Sequence, residues 1–229
     1  MKSVGVIGGL GPETTAEFYL EVISRCRKRN NEQRPLIVIS NVPMLFEIEK
    51  DLLASNAGKE RYIPFLVAEA KRLEKSGVDF LVMPCNSLHV FIEEIRGAVN
   101  IPMLSIVEET ARYLKQRGFK KVGLVSTSAT VTNNVYETAL NKNGISFLVP
   151  NDLQRAKMDK VIQRLVEGRH LNSDRELILE VVNDLSAGDV DCVALACTDL
   201  QLLLPSSDEI AIFDTMKVLA QSTAETILA

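Results

Sequence analysis

The sequence predicts an α/β fold made of two similar halves, each a mostly parallel sheet flanked by helices, and three observations carry that prediction. The first is a repeat: V-D-F-L-V-M-P-C-N-S-L at 78–88 returns as V-D-C-V-A-L-A-C-T-D-L at 190–200. Cys85 and Cys197 each close an apolar run, and 197 − 85 = 112 residues separate them. Short apolar runs without alternation read as strands buried on both faces. The second is that the repeat extends upstream. Residues 2–8 resemble 121–126, with glycines 123 − 5 = 118 apart, and helical patterns at 66–73 and 177–185 stop before Gly77 and Gly188. The third is the alternation of strand and helix along the whole chain, which marks parallel sheets covered on both faces.

Each element follows from local chemistry. A strand over 4–7 runs into a glycine-rich turn at 8–11 and a helix from 14 to 28. Pro12 suits the helix entry and Thr14 or Thr15 can cap it, so backbone N–H groups around Leu10 and Gly11 form an anion-binding end. A strand over 36–40 precedes an irregular loop from 41 to 51, then a helix over 63–76 and the first cysteine strand. A helix is expected over 86–99, a strand over 101–104 leading to Ser105, and an amphipathic helix over 108–117.

The second half starts at Lys121 with a strand over 122–126, a polar turn at 127–130 and a helix over 132–143 stopped by Gly144. A short strand at 145–149, helices at 157–168 and 175–187, and the second cysteine strand follow. The strand at 210–213 and helix at 215–228 resemble 101–104 and its helix, so the last segment is expected to complete the first half's sheet. The expected domains are 1–100 plus 208–229, carrying Cys85, and 101–207, carrying Cys197. Cysteines at the carboxyl ends of parallel strands sit where open α/β sheets bind ligands, so the site is expected in the cleft between the halves.

Composition narrows the function. A 229-residue chain with 46% hydrophobic and 24% charged residues has the balance of a globular protein. Its net charge of −4, with no Lys/Arg cluster interleaved with aromatics, argues against a nucleic-acid partner and favours a small molecule. No apolar stretch nears the ~20 residues of a membrane span. The run at 4–10 is followed by Gly11-Pro12-Glu13 and lacks a cleavage pattern, so a cytoplasmic location is expected. The cysteines, Cys26, Cys85, Cys192 and Cys197, show no Cys-x-x-Cys spacing and are expected as free thiols. His89 and His170 have no paired ligand spacing, so no metal is expected.

The glycine turn Gly5-Val6-Ile7-Gly8-Gly9-Leu10-Gly11-Pro12 sits where a dinucleotide fingerprint would, but Ile7 occupies the second glycine position and no Walker A ending follows. Its donors suit a carboxylate, and a plain tight turn is the competing reading. Cys85-Asn86-Ser87-Leu88-His89 sets a thiol, an amide and a hydroxyl at a helix start, where anions are favoured. Cys197-Thr198-Asp199 repeats the plan with different partners. Each cysteine taken alone reads more readily as an inert buried thiol, because free cysteine is among the most buried residue types. His89, one turn after Cys85, is a candidate to tune it or relay a proton. Thr127-Ser128-Ala129-Thr130 offers hydroxyls that either bind a carboxylate or cap a helix.

Taken together these motifs resemble the aspartate/glutamate racemase family, the cofactor-independent two-cysteine amino-acid racemases, and aspartate racemase in particular. Gly8 to Pro12, Pro84-Cys85-Asn86-Ser87-Leu88-His89, Thr127 to Thr130, Cys197-Thr198-Asp199 and Asp214 match in order, with serine, alanine and aspartate replacing the family's threonine, glycine and glutamate. The resemblance implies two pseudo-symmetric Rossmann-like domains and PLP-independent interconversion of L and D forms of an acidic amino acid, aspartate or glutamate. It implies Cys85 and Cys197 as the catalytic pair, one thiolate as base and the other thiol as acid with the roles exchanged in the reverse direction, and no cofactor. Leu10, Gly11, Asn86, Ser87, Thr127, Thr130, Lys157 and Thr198 are the implied substrate contacts, with His89 and Asp199 behind them. It also implies a homodimer. The loop at 41–51 departs from the pattern: the expected arginine falls near Ile48, with Lys50 close by. A maleate isomerase-like or arylmalonate decarboxylase-like enzyme and a non-catalytic dicarboxylate binder are the alternatives.

Overall fold

The computed structural model describes residues 1–45, 47–48, 58–204 and 211–229. Two four-stranded parallel sheets form the framework. The first orders its strands β2-β1-β3-β4, with β1 at Val4–Gly8, β2 at Ile37–Asn41, β3 at Phe80–Val82 and β4 at Met103–Leu104. The second orders them β6-β5-β7-β8, with β5 at Lys121–Val125, β6 at Ser146–Leu148, β7 at Cys192–Leu195 and β8 at Ile212–Asp214. The two orders are the same pattern. In each, the chain winds one way from the first strand to the second and the other way to the third, which opens a crevice beyond the carboxyl ends of β1/β3 and of β5/β7.

The repeated Val-Asp dipeptides have a structural task. Asp79 accepts from the backbone N–H of Ser3 at 2.6 Å and from its hydroxyl at 2.7 Å, at the entry to β1. Asp191 accepts from the N–H of Lys120 and of Lys121, at 2.6 and 2.9 Å, at the entry to β5. Each acid thus pins the central strand of its sheet to the cysteine strand beside it. The paired glycines are equally specific. A Cβ on Gly5 would meet Leu81 at 2.8 Å and Leu73 at 3.1 Å, and one on Gly123 would meet Leu185 at 3.2 Å. Leu73 lies on helix α2 (Ile63–Lys75) and Leu185 on the helix Asn172–Ser186, so both glycines let the helix before the cysteine strand lie flat on its sheet.

The structure redraws several elements. Helix α1 spans Pro12–Arg29, with Gly11 at its cap position, and Thr15 donates to the Gly11 carbonyl while accepting from Gly9 N–H, both at 3.0 Å. Residues 86–99 form a 3₁₀ turn, Ser87–Phe91, and a five-residue helix, Ile92–Arg96. The His89 ring folds back on the Cys85 carbonyl, which tightens that turn. The expected helix over 132–143 is two pieces, Ser128–Thr132 and Glu137–Lys142, separated where Asn134 adopts φ 52°. Helix Asp152–Val166 starts five residues before 157 because Asn151 and Gln154 close a reciprocal capping box.

The last segment departs most from expectation. β8, expected in the first sheet, pairs with β7 and completes the second, while β4, expected within the 101–207 domain, pairs with β3 and completes the first. The helix after β8, Thr215–Leu228, nevertheless returns to the first half: Ile227 O accepts from Lys2 N at 2.8 Å and Glu225 pairs with Arg29 at 3.3 Å. Strand and helix of this segment therefore serve different halves. A continuous core joins them, including Phe18 and Val22 of α1, Ala111 and Leu114 of the helix Ile106–Gln116, and Leu219 and Ala220 of the last helix.

Candidate active site

The carboxyl ends of β1 and β3 face those of β5 and β7 across a cavity of about 60 Å³. Leu10, Gly11, Cys85, Asn86 and Ser87 line it from the first half, and Thr127, Cys197, Thr198 and Asp199 from the second. The sequence places these nine at the ends of two sheets with the site expected in the cleft between them. The fold brings them into one space.

On the first half, Cys85 is half-buried, at the exit of β3. His89 Nε2 accepts from Ile106 N–H at 3.1 Å, which fixes the ring proton on Nδ1, from which it donates to the Cys85 carbonyl at 2.5 Å. Both ring nitrogens are occupied, so His89 shapes the Cys85 backbone and lies outside the cavity lining. Burial pushes its ring down to about 4, so the imidazole is neutral at physiological pH. Asn86, 2% exposed, accepts from Tyr136 Oη at 2.5 Å and donates Nδ2 to Thr215 Oγ1 at 3.1 Å. Thr215 in turn donates to the Leu195 carbonyl at 2.8 Å, on the cysteine strand of the other half. One Nδ2 hydrogen of Asn86 is left for a ligand.

On the second half, Cys197 is 7% exposed. Burial and the Asp199 carboxylate raise its thiol well above the ordinary range, while the N–H groups of Asp199 and Leu200 and the neighbouring Cys85 act on it more weakly, the N–H groups in the opposite sense. The free protein therefore carries Cys197 as the thiol. Asp199 reaches back across the cleft: Thr14 of α1 donates to its Oδ1 at 2.7 Å. That carboxylate lies against the glycine turn, where a Cβ on Gly11 would sit 3.2 Å from Oδ1. Burial raises the Asp199 carboxyl, opposed by the Thr14 hydroxyl.

Between the two thiol ends lies a triangle of hydroxyls. Ser87 Oγ is 3.1 Å from Thr127 Oγ1 and 3.2 Å from Thr130 Oγ1, and the two threonine oxygens are 2.9 Å apart. Thr127 also caps the helix Ser128–Thr132 by accepting from Thr130 N–H at 3.1 Å, so one side chain both caps a helix and lines the cavity. Three hydroxyls sharing three short contacts form a rotatable donor set for a carboxylate.

Thr130 lies behind Ser87 and Thr127, outside the lining, and Lys157 is exposed on the helix Asp152–Val166, also outside it. Ile48, near the expected arginine, is buried at 4% exposure in the first half's core, and Lys50 lies outside the described residues. Asp214 caps the last helix through Met216 N–H at 2.8 Å. Sequence reasoning missed Tyr136, Thr215 and Thr14, which hold Asn86 and Asp199. It also missed the apolar wall of Tyr62, Leu88, Ile162 and Val166. Thr215 follows a strand-ending Asp and could have been found as part of a cap; the wall residues carry only core periodicity and give no separate signal.

Among the described residues, no helix is long and apolar enough to cross a membrane. The model of the Asp/Glu/Hydantoin racemase family matches residues 7–223. The broad specificity amino-acid racemase RacX of Bacillus subtilis is 32% identical over 231 aligned residues, covering 99% of this chain and 98% of its own. The fold is similar to that of Picrophilus torridus aspartate racemase, with TM-score 0.82 and 26% identity over 99% of this chain and 94% of that one. It is similar also to an aspartate racemase homologue from Pyrococcus horikoshii, with TM-score 0.80 and 26% identity over the full length of both. A match over nearly the whole length, together with a full-length relative, means that the chain belongs to the Asp/Glu/Hydantoin racemase family.

Proposed function

We propose that the protein racemises an α-amino acid by proton exchange at Cα between two thiols, without pyridoxal phosphate or metal. The observation that carries this reading is that Cys85 and Cys197, from opposite halves, line one cavity. A single base returns a proton to the face it came from, so inversion calls for an acid and a base on opposite faces of a planar carbanion. Cys197, held as the thiol, supplies the acid, and the base role falls to Cys85.

The steps balance without an outside reagent. The Cys85 thiolate takes the Cα proton, and the Cα–H electron pair passes into the enolate-like carboxylate. The Cys197 S–H then delivers its proton to the opposite face and leaves as thiolate. The protein emerges with its thiol protons exchanged and is ready for the reverse direction. An ordinary thiol of pKa ~8.5 is a weak base for an amino-acid Cα–H, so the barrier must fall through donors that strengthen as charge builds on the carboxylate. Asn86 Nδ2, the hydroxyls of Ser87 and Thr127, and Thr198 are those donors in this reading, with Thr130 supporting the first two. The N–H groups of the Leu10–Gly11 turn add fixed dipoles from the first half. Aspartate and glutamate are the substrates that the sequence resemblance implies.

The test is to incubate dialysed, hydroxylamine-treated protein with single enantiomers of a panel of amino acids and follow optical rotation and chiral chromatography. Racemisation that survives hydroxylamine and chelator but is abolished by thiol alkylation is the expected result. Racemisation abolished by hydroxylamine contradicts the cofactor-free reading. Thermal stabilisation by an amino acid with no racemisation of any would favour a binding protein instead.

A further inference from the structure

We propose that the substrate carries a neutral aliphatic side chain, with its α-ammonium beside Asp199 and its side chain against Leu10, Leu88, Ile162 and Val166. This rests on the racemase reading and deepens it by naming the substrate class. An α-amino acid brings one negative and one positive group that must both be settled inside the cavity. The carboxylate is matched by the amide and hydroxyl donors of Asn86, Ser87 and Thr127. The ionisable acid in the lining, Asp199, is the partner left for the ammonium. Its position supports this: Thr14 holds the carboxylate at the cleft between the halves, close against the Gly11 turn and two residues from Cys197.

What remains of the wall among the described residues is apolar. Leu10 and Leu88 from the first half face Ile162 and Val166 from the second, with the ring of Tyr62 beside them. A distal carboxylate placed there would lose its water against hydrocarbon and would sit near Asp199, a like charge. Among the described residues lining the cavity none is Lys or Arg. Lys157 cannot take that place by a small turn of its side chain. Ile162 and Val166 are four residues apart and share one face of the helix Asp152–Val166, whereas Lys157 is five residues before Ile162 and projects about 140° away around the axis.

The experiment compares L-leucine and L-methionine with L-aspartate, L-glutamate and L-lysine in D₂O, reading Cα proton loss by NMR. Leucine or methionine is expected to exchange with kcat/KM at least about tenfold above each charged amino acid. Val166→Lys, verified by its melting temperature to be folded, is expected to lower leucine exchange and raise aspartate exchange, each by about tenfold or more. Ile162→Ala, which enlarges the apolar wall, is expected to shift preference toward bulkier aliphatic or aromatic side chains. Faster exchange of aspartate or glutamate by the unaltered protein would overturn this inference and leave the two-thiol reading standing, and faster exchange of lysine would do the same. Exchange of no amino acid at all would overturn both.

Discussion

The carboxyl ends of β3 and β7 share a strand order, a preceding helix, an aspartate clasp and a cysteine, yet their surroundings diverge from the first residue after the thiol. Behind Cys85 stands a neutral network: Asn86 held by Tyr136 and Thr215, and a carbonyl held by His89. Behind Cys197 stands an acid, Asp199, held by Thr14. In both cases the holding residues come partly from the other half. The scaffold repeats because strand pairing and helix packing make the same demands twice. The neighbours differ, and in the proposed reaction that difference suits the two unlike faces of an amino acid, with Cys197 held protonated by its buried, acidic surroundings.

The comparison breaks most sharply at the sulfurs. Serine at either Cys85 or Cys197 is expected to reduce racemisation by about 10²–10⁴-fold, since each removes one partner of an acid–base pair, and steady-state chiral assays would measure it. Full activity in either variant would mean that the repeat is structural only.

Next in size is the pH response of the Cys85 end. Burial lowers His89 from 6.5 to about 4, so between those values the unfolded chain takes up a proton that the folded protein excludes. This contribution to stability is complete above pH 6.5 and is lost as pH falls toward 4, amounting to about 3 kcal/mol. Asp214, raised by burial to about 6, acts in the opposite sense: its share is present at low pH and is lost as pH rises through 6. Denaturant titrations of His89→Asn and the unaltered protein at pH 7 and 4.5 separate the two. The variant should lose less stability on acidification, and an equal loss would contradict the account.

Tyr136→Phe leaves the buried Asn86 carbonyl without its donor, at an expected cost of about 1–3 kcal/mol in stability, readable from a denaturant midpoint. A merely packed tyrosine would not also alter substrate binding, so a raised KM in the same variant is the sharper reading. At the Cys197 end, Asp199→Asn removes the charge that, after burial, most raises the thiol. Mass-spectrometric iodoacetamide labelling should find Cys85 modified before Cys197 in the unaltered protein, and Cys197 labelling should move to lower pH in the variant. Lys157→Ala is expected to change racemisation less than about twofold, as for other exposed positions away from a site.

Much of this framework was legible in the sequence, because buried parallel strands and glycine-stopped helices leave strong local patterns. The Cys85 and Cys197 runs, the Gly8 to Gly11 turn and the Thr127 cap all appear where the alternation of elements places them. Less was legible where tertiary packing overrides local preference. The 3₁₀ turn at Ser87–Phe91 is braced by a histidine ring contacting a carbonyl, and the break at Asn134 coincides with one left-handed residue. The last segment looked like 101–104 because each is a buried strand before a helix; which sheet it joins is decided by the neighbour it finds, not by its own residues. The same limit hid Tyr136, Thr215 and Thr14. Their hydroxyls matter only because Asn86 and Asp199, far away in sequence, point at them.

The central claim is that two thiols on opposite faces share one inversion, and the first turnovers in D₂O test it most directly. Starting from a pure L enantiomer of whichever amino acid racemises, the D product should carry deuterium at Cα from the outset while the remaining L substrate still carries protium. Protium retained in the early D product, delivered by the same group that removed it, would contradict a two-thiol mechanism.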